Sequence, residues 1–266
     1  MSILFKTPEE KHINLLSRFE RKNELFFLKK NSKEHIPKSI LLQWHITENC
    51  NLRCSHCYQE AYSSKELSFN DCKKVIIQFK NLINYFSKKT SRKIPAHITI
   101  TGGEPFVRKD FFKLLNLFYK NREYFTYAIL SNGTFIDESV AKKLSTLSPS
   151  FVQISIEGTK NTHDQIRGIG NYDKAVLALE NLVKNNIPSM ISFTAHKKNY
   201  KEFDSVVSLG DKIGVSRIWS DRLIPCGSGA LMDSLMLSPN ETKEFFEIMK
   251  KSKIKLKLQC IEHYNF

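Results

Sequence analysis

The chain has 266 residues, 41% of them apolar and 26% charged, which fits a soluble globular protein long enough for one large domain or two small ones. No stretch approaches the roughly eighteen apolar residues of a membrane span. The start, Met1-Ser2-Ile3-Leu4-Phe5-Lys6-Thr7-Pro8, has no signal-peptide pattern, so a cytoplasmic protein without membrane attachment is expected. The net charge of +14 comes from lysines scattered along helical segments rather than from an arginine-rich tract, which disfavours nucleic acid and suits an acidic peptide at least as well.

Residues 1–38 are polar and charged, with a helical stretch near His12 to Leu28, and read as an N-terminal extension. From residue 40 the pattern alternates. Strands are predicted at Ile40–Thr47, His97–Thr101, Tyr127–Ser131, Phe151–Ile156, Ser189–Ala195 and Arg217–Ile224. Between them, Ser68-Phe69-Asn70-Asp71 resembles a capping box and opens a helix to about Phe86. Further helices are predicted at Asp110–Lys120, Asp137–Leu147, Asp173–Asn185 and Tyr200–Ile213. Ser238-Pro239-Asn240-Glu241 opens a last helix, with Pro at its first position. The lysine-rich run Lys250–Lys257 alternates in its second half like an edge strand with a charged face. Strands joined by helices imply parallel βα units with right-handed crossovers, closing into a partial barrel or forming an open doubly wound sheet. In either, reactive groups belong beyond the strand C-termini.

The informative motifs lie there. After the first strand come Cys50-Asn51-Leu52-Arg53-Cys54-Ser55-His56-Cys57-Tyr58, three thiols spaced C-x3-C-x2-C. A loop leaving a strand can aim several thiolates at one centre, and three are one fewer than a closed four-cysteine site needs. A structural zinc with His45 or His56 as fourth ligand is the plainer alternative, but zinc ribbons supply two distant C-x2-C pairs and there is no second pair here. The other cysteines, Cys72, Cys226 and Cys260, are too scattered for a disulfide framework. Cys72, among Val75, Ile76 and Phe79, reads as core; Cys226 sits just past the sixth strand on the reactive face. Thr101-Gly102-Gly103-Glu104-Pro105 ends the second strand, with two glycines that permit a close backbone approach and a carboxylate suited to an ammonium group. Ser131-Asn132-Gly133 ends the third, and Ser155-Ile156-Glu157-Gly158 the fourth.

Over roughly residues 40–230 these motifs resemble the radical S-adenosylmethionine (radical SAM) enzymes. The resemblance implies a partial (β/α)6 TIM-like barrel of the α/β class, with a [4Fe-4S] cluster on Cys50, Cys54 and Cys57 whose open iron binds the methionine moiety of S-adenosyl-L-methionine. Tyr58 matches an aromatic position whose backbone contacts the adenine. Gly102, Gly103 and Glu104 match the segment that binds the methionine ammonium, and Ser155 and Glu157 lie where polar residues touch the ribose or carboxylate. The stretch from Ser155 to Gly168, including His163-Asp164-Gln165-Ile166-Arg167-Gly168, resembles the subgroup of anaerobic sulfatase-maturing enzymes and peptide maturases. There Arg167 corresponds to an arginine that pairs with the S-adenosylmethionine carboxylate; the plainer reading is a surface loop with Arg167 on Asp164. His163 and Asp164 read as a local hydrogen-bonded turn.

The expected organisation is an extension at 1–38, a core barrel at 39–232 and a C-terminal helix at 233–266 that begins an extension without the cysteine set usual in this subgroup; Cys260 would be its first ligand. The implied activity is reductive cleavage of S-adenosylmethionine to a 5′-deoxyadenosyl radical that takes hydrogen from a peptide or protein side chain. A small one-electron donor such as flavodoxin or ferredoxin is implied as partner. The alternatives are maturation of a sulfatase or small cofactor, or a non-enzymatic iron–sulfur or zinc interaction module.

Overall fold

Among the described residues, eight parallel strands lie side by side in the order of the chain: β1 (Ile3–Leu4), β2 (Ile40–His45), β3 (Ala96–Thr101), β4 (Thr126–Ser131), β5 (Phe151–Ser155), β6 (Ser189–Ala195), β7 (Arg217–Arg222) and β8 (Gln259–Ile261). The computed structural model describes residues 3–4, 36–63, 65–256 and 259–261, so the helix expected near His12 lies outside the described residues. Because the strand order never reverses, there is no switch point of a doubly wound sheet. Right-handed crossovers in a sequential parallel sheet put every helix on one side. The result is a curled half-barrel, six of whose strands are those predicted.

The helices are α1 (Phe69–Thr90), α2 (Phe111–Lys120), α3 (Glu138–Ser145), α4 (Lys160–Arg167), α5 (Asn171–Lys184), α6 (Phe203–Ile213) and α7 (Pro239–Leu256). The capping signals act as predicted. Ser68 Oγ accepts from the Asp71 N–H at 3.2 Å. At the start of α7 the exchange is reciprocal: Ser238 Oγ accepts from the Glu241 N–H, and Glu241 Oε2 accepts from the Ser238 N–H at 2.8 Å. Two expectations are corrected. The Lys250 run is helical through Leu256, because Phe245, Met249 and Ser252, spaced four and three apart, continue a buried helical stripe. The segment after Gly158, expected as a loop, forms α4.

Strand alternation sorts the two faces of the sheet. Leu42 and Trp44, Ile98 and Ile100, and Val152 and Ile154 are buried, and Trp44 meets Phe118 of α2 at 6.1 Å between ring centres. Phe193, Phe203 and Phe245 join β6, α6 and α7 in the same core. Burying each such ring contributes about 1.5–3 kcal/mol. The alternate positions are mixed, with His97, Gln153, Ser155 and Ser192 among Leu41, Leu130 and Phe151: His97 Nδ1 lies 2.7 Å from Thr126 Oγ1, and Ser192 Oγ donates to Ser155 Oγ at 3.3 Å. The loops after each strand form the mouth on this side of the sheet.

Candidate functional site

The loop after β2 carries Cys50, Cys54 and Cys57 at the C-terminal mouth of the half-barrel, with Cys54 buried and the other two partly so. Backbone N–H groups point at two of the sulfurs: Leu52 N–H to Cys50 Sγ at 3.4 Å, and Gln59 N–H to Cys57 Sγ at 3.5 Å. Such bonds stabilise negative charge on sulfur and tune any centre it holds. Burial pushes the Cys50 and Cys54 thiols up from their ordinary values, with Arg167 opposing the rise at Cys54. Of the two imidazoles considered as zinc ligands, His45 Nδ1 lies 3.3 Å from the Tyr58 hydroxyl, and His56 Nε2 lies 3.2 Å from Glu157 Oε1 while its Nδ1 is buried without a hydrogen-bond partner. Among the described residues no three His, Cys, Asp or Glu side chains converge as ligands of a single ion. Soft thiolates spread along one loop, with N–H donors at the sulfurs, fit an iron–sulfur cluster.

The loop is held from every side. Asn132, after β4, donates to Asn51 Oδ1 at 2.9 Å, and Asn51 donates to Thr134 Oγ1 at 2.9 Å. The Ser55 N–H donates to the Ile166 carbonyl of α4. The Arg53 guanidinium sits 4.0 Å over the Tyr62 ring. Beyond β7, the 3-10 segment Gly227–Leu235 lies against the loop: Gly229 N–H donates to the Cys57 carbonyl at 2.9 Å, and Ser228 N–H to that of Gln59 at 3.1 Å. A side chain at Gly227, where φ is +57°, would sit 2.2 Å from the Tyr58 carbonyl oxygen. Cys226 is exposed at the start of this segment.

The glycines after β3 serve the same loop. A Cβ on Gly102 would stand 2.2 Å from the Thr47 carbonyl oxygen, and one on Gly103 would stand 2.3 Å from that of Asn49. Their close approach is therefore to the chain entering the cysteine loop, in addition to any ligand. The Glu104 carboxylate is wholly buried and points away from solvent: it accepts from Ser131 Oγ at 2.9 Å, the Asn132 N–H at 2.8 Å and the Phe106 N–H at 3.2 Å. Burial pushes its pKa up to about 7. The Tyr58 hydroxyl donates to the Gly102 carbonyl at 2.8 Å, tying the end of the thiol loop to the glycine turn.

At the end of β5, Glu157 is the centre of a second network. Arg167 donates to Glu157 Oε1 from Nη2 at 2.6 Å and from Nε at 2.9 Å, and the Thr194 N–H donates to Oε2 at 2.9 Å. Arg167 Nη1 lies 3.6 Å from Cys54 Sγ. Burial opposes ionisation of Glu157, but the Arg167 and His56 side chains outweigh it and hold the carboxyl well below the ordinary range. Arg167 is thus paired with Glu157, not with Asp164, which accepts from the Gly170 and Tyr172 N–H groups and shapes the turn into α5. His163 accepts from the Glu157 N–H through Nδ1, and burial lowers its pKa to about 4. Ser155 is half-buried on the concave face beside Ser192. Cys72 is buried in α1, as expected of a core residue, and burial pushes its thiol up to about 11.

Three residues that matter here escaped the sequence reading: His56 as a partner of Glu157, Asn51 as a bridge to β4, and Glu202. Glu202 accepts from the Thr159 N–H and Thr162 Oγ1, both at 2.6 Å, and so caps α4, whose own N-cap Thr159 makes no side-chain bond. No local signal could have revealed Glu202, which lies more than forty residues downstream of Thr159.

Known proteins resemble this chain in sequence and in fold. The chain is 31% identical over 216 residues to the Fe-coproporphyrin III synthase of Methanosarcina barkeri, covering 80% of this chain and 51% of that protein. It is 30% identical to the mycofactocin maturase MftC of Mycolicibacterium smegmatis, covering 78% of this chain and 51% of the relative. The chain thus spans about half the length of these curated relatives. The structure of Streptococcus suis SuiB bound to its precursor peptide SuiA superposes with a TM-score of 0.68 at 14% identity, covering 98% of this chain and 57% of that one, a likeness of fold. No described helix is long and apolar enough to cross a membrane. The family model for the radical SAM superfamily matches residues 44–210, from the strand that leads into the cysteine loop to the helix that follows β6, and the chain belongs to that superfamily.

Proposed function

We propose that Cys50, Cys54 and Cys57 hold a [4Fe-4S] cluster, and that the chain uses it with S-adenosyl-L-methionine to begin radical chemistry on a peptide or protein side chain. The observation that carries this reading is the cysteine loop itself: three thiols at the barrel mouth, N–H donors on two sulfurs and a guanidinium 3.6 Å from the third. A cluster held by Cys50, Cys54 and Cys57 would supply the electron for reductive cleavage of S-adenosylmethionine, the source of the radical chemistry. The chain's own residues position and shield. The concave face admits the nucleotide, with Tyr58, Gly103 and Ser155 bordering it from the loops and strand ends, while Gly102 and the buried Glu104 hold the turn behind them. Glu157 fixes Arg167 so that Nη1 faces the thiols and any carboxylate bound beside them. The helix layer excludes water from the convex side.

The likeness to a mycofactocin maturase and to SuiB with its peptide supports a peptide substrate. The likeness to an Fe-coproporphyrin III synthase supports a second reading, maturation of a small cofactor. Residues 39–232 make the core of the reaction chamber in either case. A small flavodoxin- or ferredoxin-type electron donor and a cytoplasmic setting complete the proposal.

The test is anaerobic reconstitution with iron and sulfide, reduction with dithionite, and measurement of 5′-deoxyadenosine. The wild-type chain is expected to release it, and Cys54→Ala to release none. A colourless protein that retains one tightly bound zinc would overturn the reading in favour of a non-enzymatic module.

A further inference from the structure

The described residues of 47–66, which include the three thiols, contain neither helix nor strand. A loop of this length inside a compact domain needs something to hold its two ends together. That something is visible on the helix side. Arg108, just after the 3-10 turn Pro105–Val107, is buried and reaches both ends at once. Its Nη1 donates to the Ile46 carbonyl, where the chain enters the loop, at 2.9 Å. Its Nη2 donates to the Leu67 carbonyl, where the chain leaves it, at 2.7 Å, and lies 3.6 Å from Cys72 Sγ. Asp110 receives Nε at 2.6 Å and fixes the plane of the fork.

Glu66 makes a second tie across the same gap. It accepts from Thr47 Oγ1 at 2.6 Å and from Asn49 Nδ2 at 3.1 Å, with its other oxygen 3.9 Å from Arg108 Nη1. One planar cation therefore satisfies carbonyls on both ends of the thiol loop, its charge is balanced by Asp110, and Glu66 closes the ends again through Thr47 and Asn49. A lysine carries the same charge but not the fork that spans both carbonyls while keeping Asp110.

We infer that Arg108 and Glu66 form a clamp that sets the shape of the cysteine loop before any cluster is bound. Arg108 is a positioning residue: it touches none of the three thiols and acts through the ends of their loop. The inference is independent of the substrate and of whether the loaded protein turns over.

The test is hydrogen–deuterium exchange on the iron-free chain. In Arg108→Lys the amides of 47–66 are expected to exchange about tenfold faster or more, since charge-assisted bonds to both ends are lost. Amides of Ile98–Thr101 and Tyr127–Leu130 are expected to stay at the wild-type rate. Glu66→Ala, at a partly exposed side chain, should speed the same loop amides by a smaller factor. Unchanged loop exchange in both variants, or acceleration spread evenly over the sheet, overturns the clamp. On the reconstituted protein, Arg108→Lys should surrender iron to a chelator faster than wild type. A wild-type chain that takes up no iron defeats the cluster assignment, while the exchange result still decides the clamp.

Discussion

Two carboxylates end two strands of the same sheet, and they are held in opposite ways. Glu104, after β3, and Glu157, after β5, are both wholly enclosed. The direct partners of Glu104 are neutral: a serine hydroxyl and two backbone N–H groups. Those of Glu157 include a guanidinium bound through two nitrogens and an imidazole. Burial therefore wins at Glu104 and carries it up to about 7, whereas Arg167 and His56 win over burial at Glu157 and keep it charged. The lesson is that the β3 side of the mouth is built from neutral donors and can lose its charge, while the β5 side is built around an ion pair whose remaining guanidinium nitrogen reaches Cys54.

The contrast is broken most severely by Glu157→Gln. That change leaves Arg167 enclosed without its anion, and chemical denaturation should show a loss of about 3–5 kcal/mol, the cost of breaking a buried pair. A loss under 1 kcal/mol would mean that water or another group takes over the guanidinium. On the β3 side the matching break is steric. Gly103→Ala drives a methyl group into the Asn49 and Glu48 carbonyls, at 2.3 and 2.7 Å, and should cost about 1–3 kcal/mol in the same assay while shifting the cysteine loop. The smallest effect sharpens the comparison through pH. The folded chain binds a proton at Glu104 more tightly than the unfolded chain does, so this residue's contribution is complete below its ordinary 4.5 and fades as pH rises through about 7. Glu157 has the reverse sign: its contribution is present above the ordinary carboxylate pKa and is lost as pH falls. Glu104→Gln should therefore remove a decline in unfolding free energy between pH 5 and pH 7 of up to about 1.4 kcal/mol per pH unit, read from urea midpoints. An unaltered slope would show that Glu104 stays ionised on its three donors.

Much of this was legible in the residues alone. Period-two apolar runs between helix signals located six strands, but the crossover rule left their order open between a partial barrel and a doubly wound sheet, and the sequential order is the structure's. The cysteine spacing and the polar residues at strand ends located the mouth. What stayed hidden depended on partners far away in the chain. The segment Lys160–Arg167 lacks an apolar stripe, burying only His163 and Ile166, and its helical form rests on Glu202 at one end and on the Arg167–Glu157 pair at the other. Arg108 carries no local signal, because the carbonyls it joins belong to residues 62 and 41 positions away. The glycines after β3 were read as letting the backbone approach a ligand, whereas what comes close in the structure is the chain's own backbone at Thr47 and Asn49.

The bonds from Ser228 and Gly229 to the cysteine loop bear on how the protein is made. Ser228 reaches Gln59 across 169 positions of sequence. On the ribosome, the thiols emerge long before the segment that covers them, and at about 5–20 residues per second the delay is on the order of ten seconds or more. Until residue 229 is available, the Cys57 carbonyl lacks its N–H partner and that flank of the loop stays uncovered. The order of synthesis therefore leaves that side of the cysteine loop more open before residue 229 is made than after it.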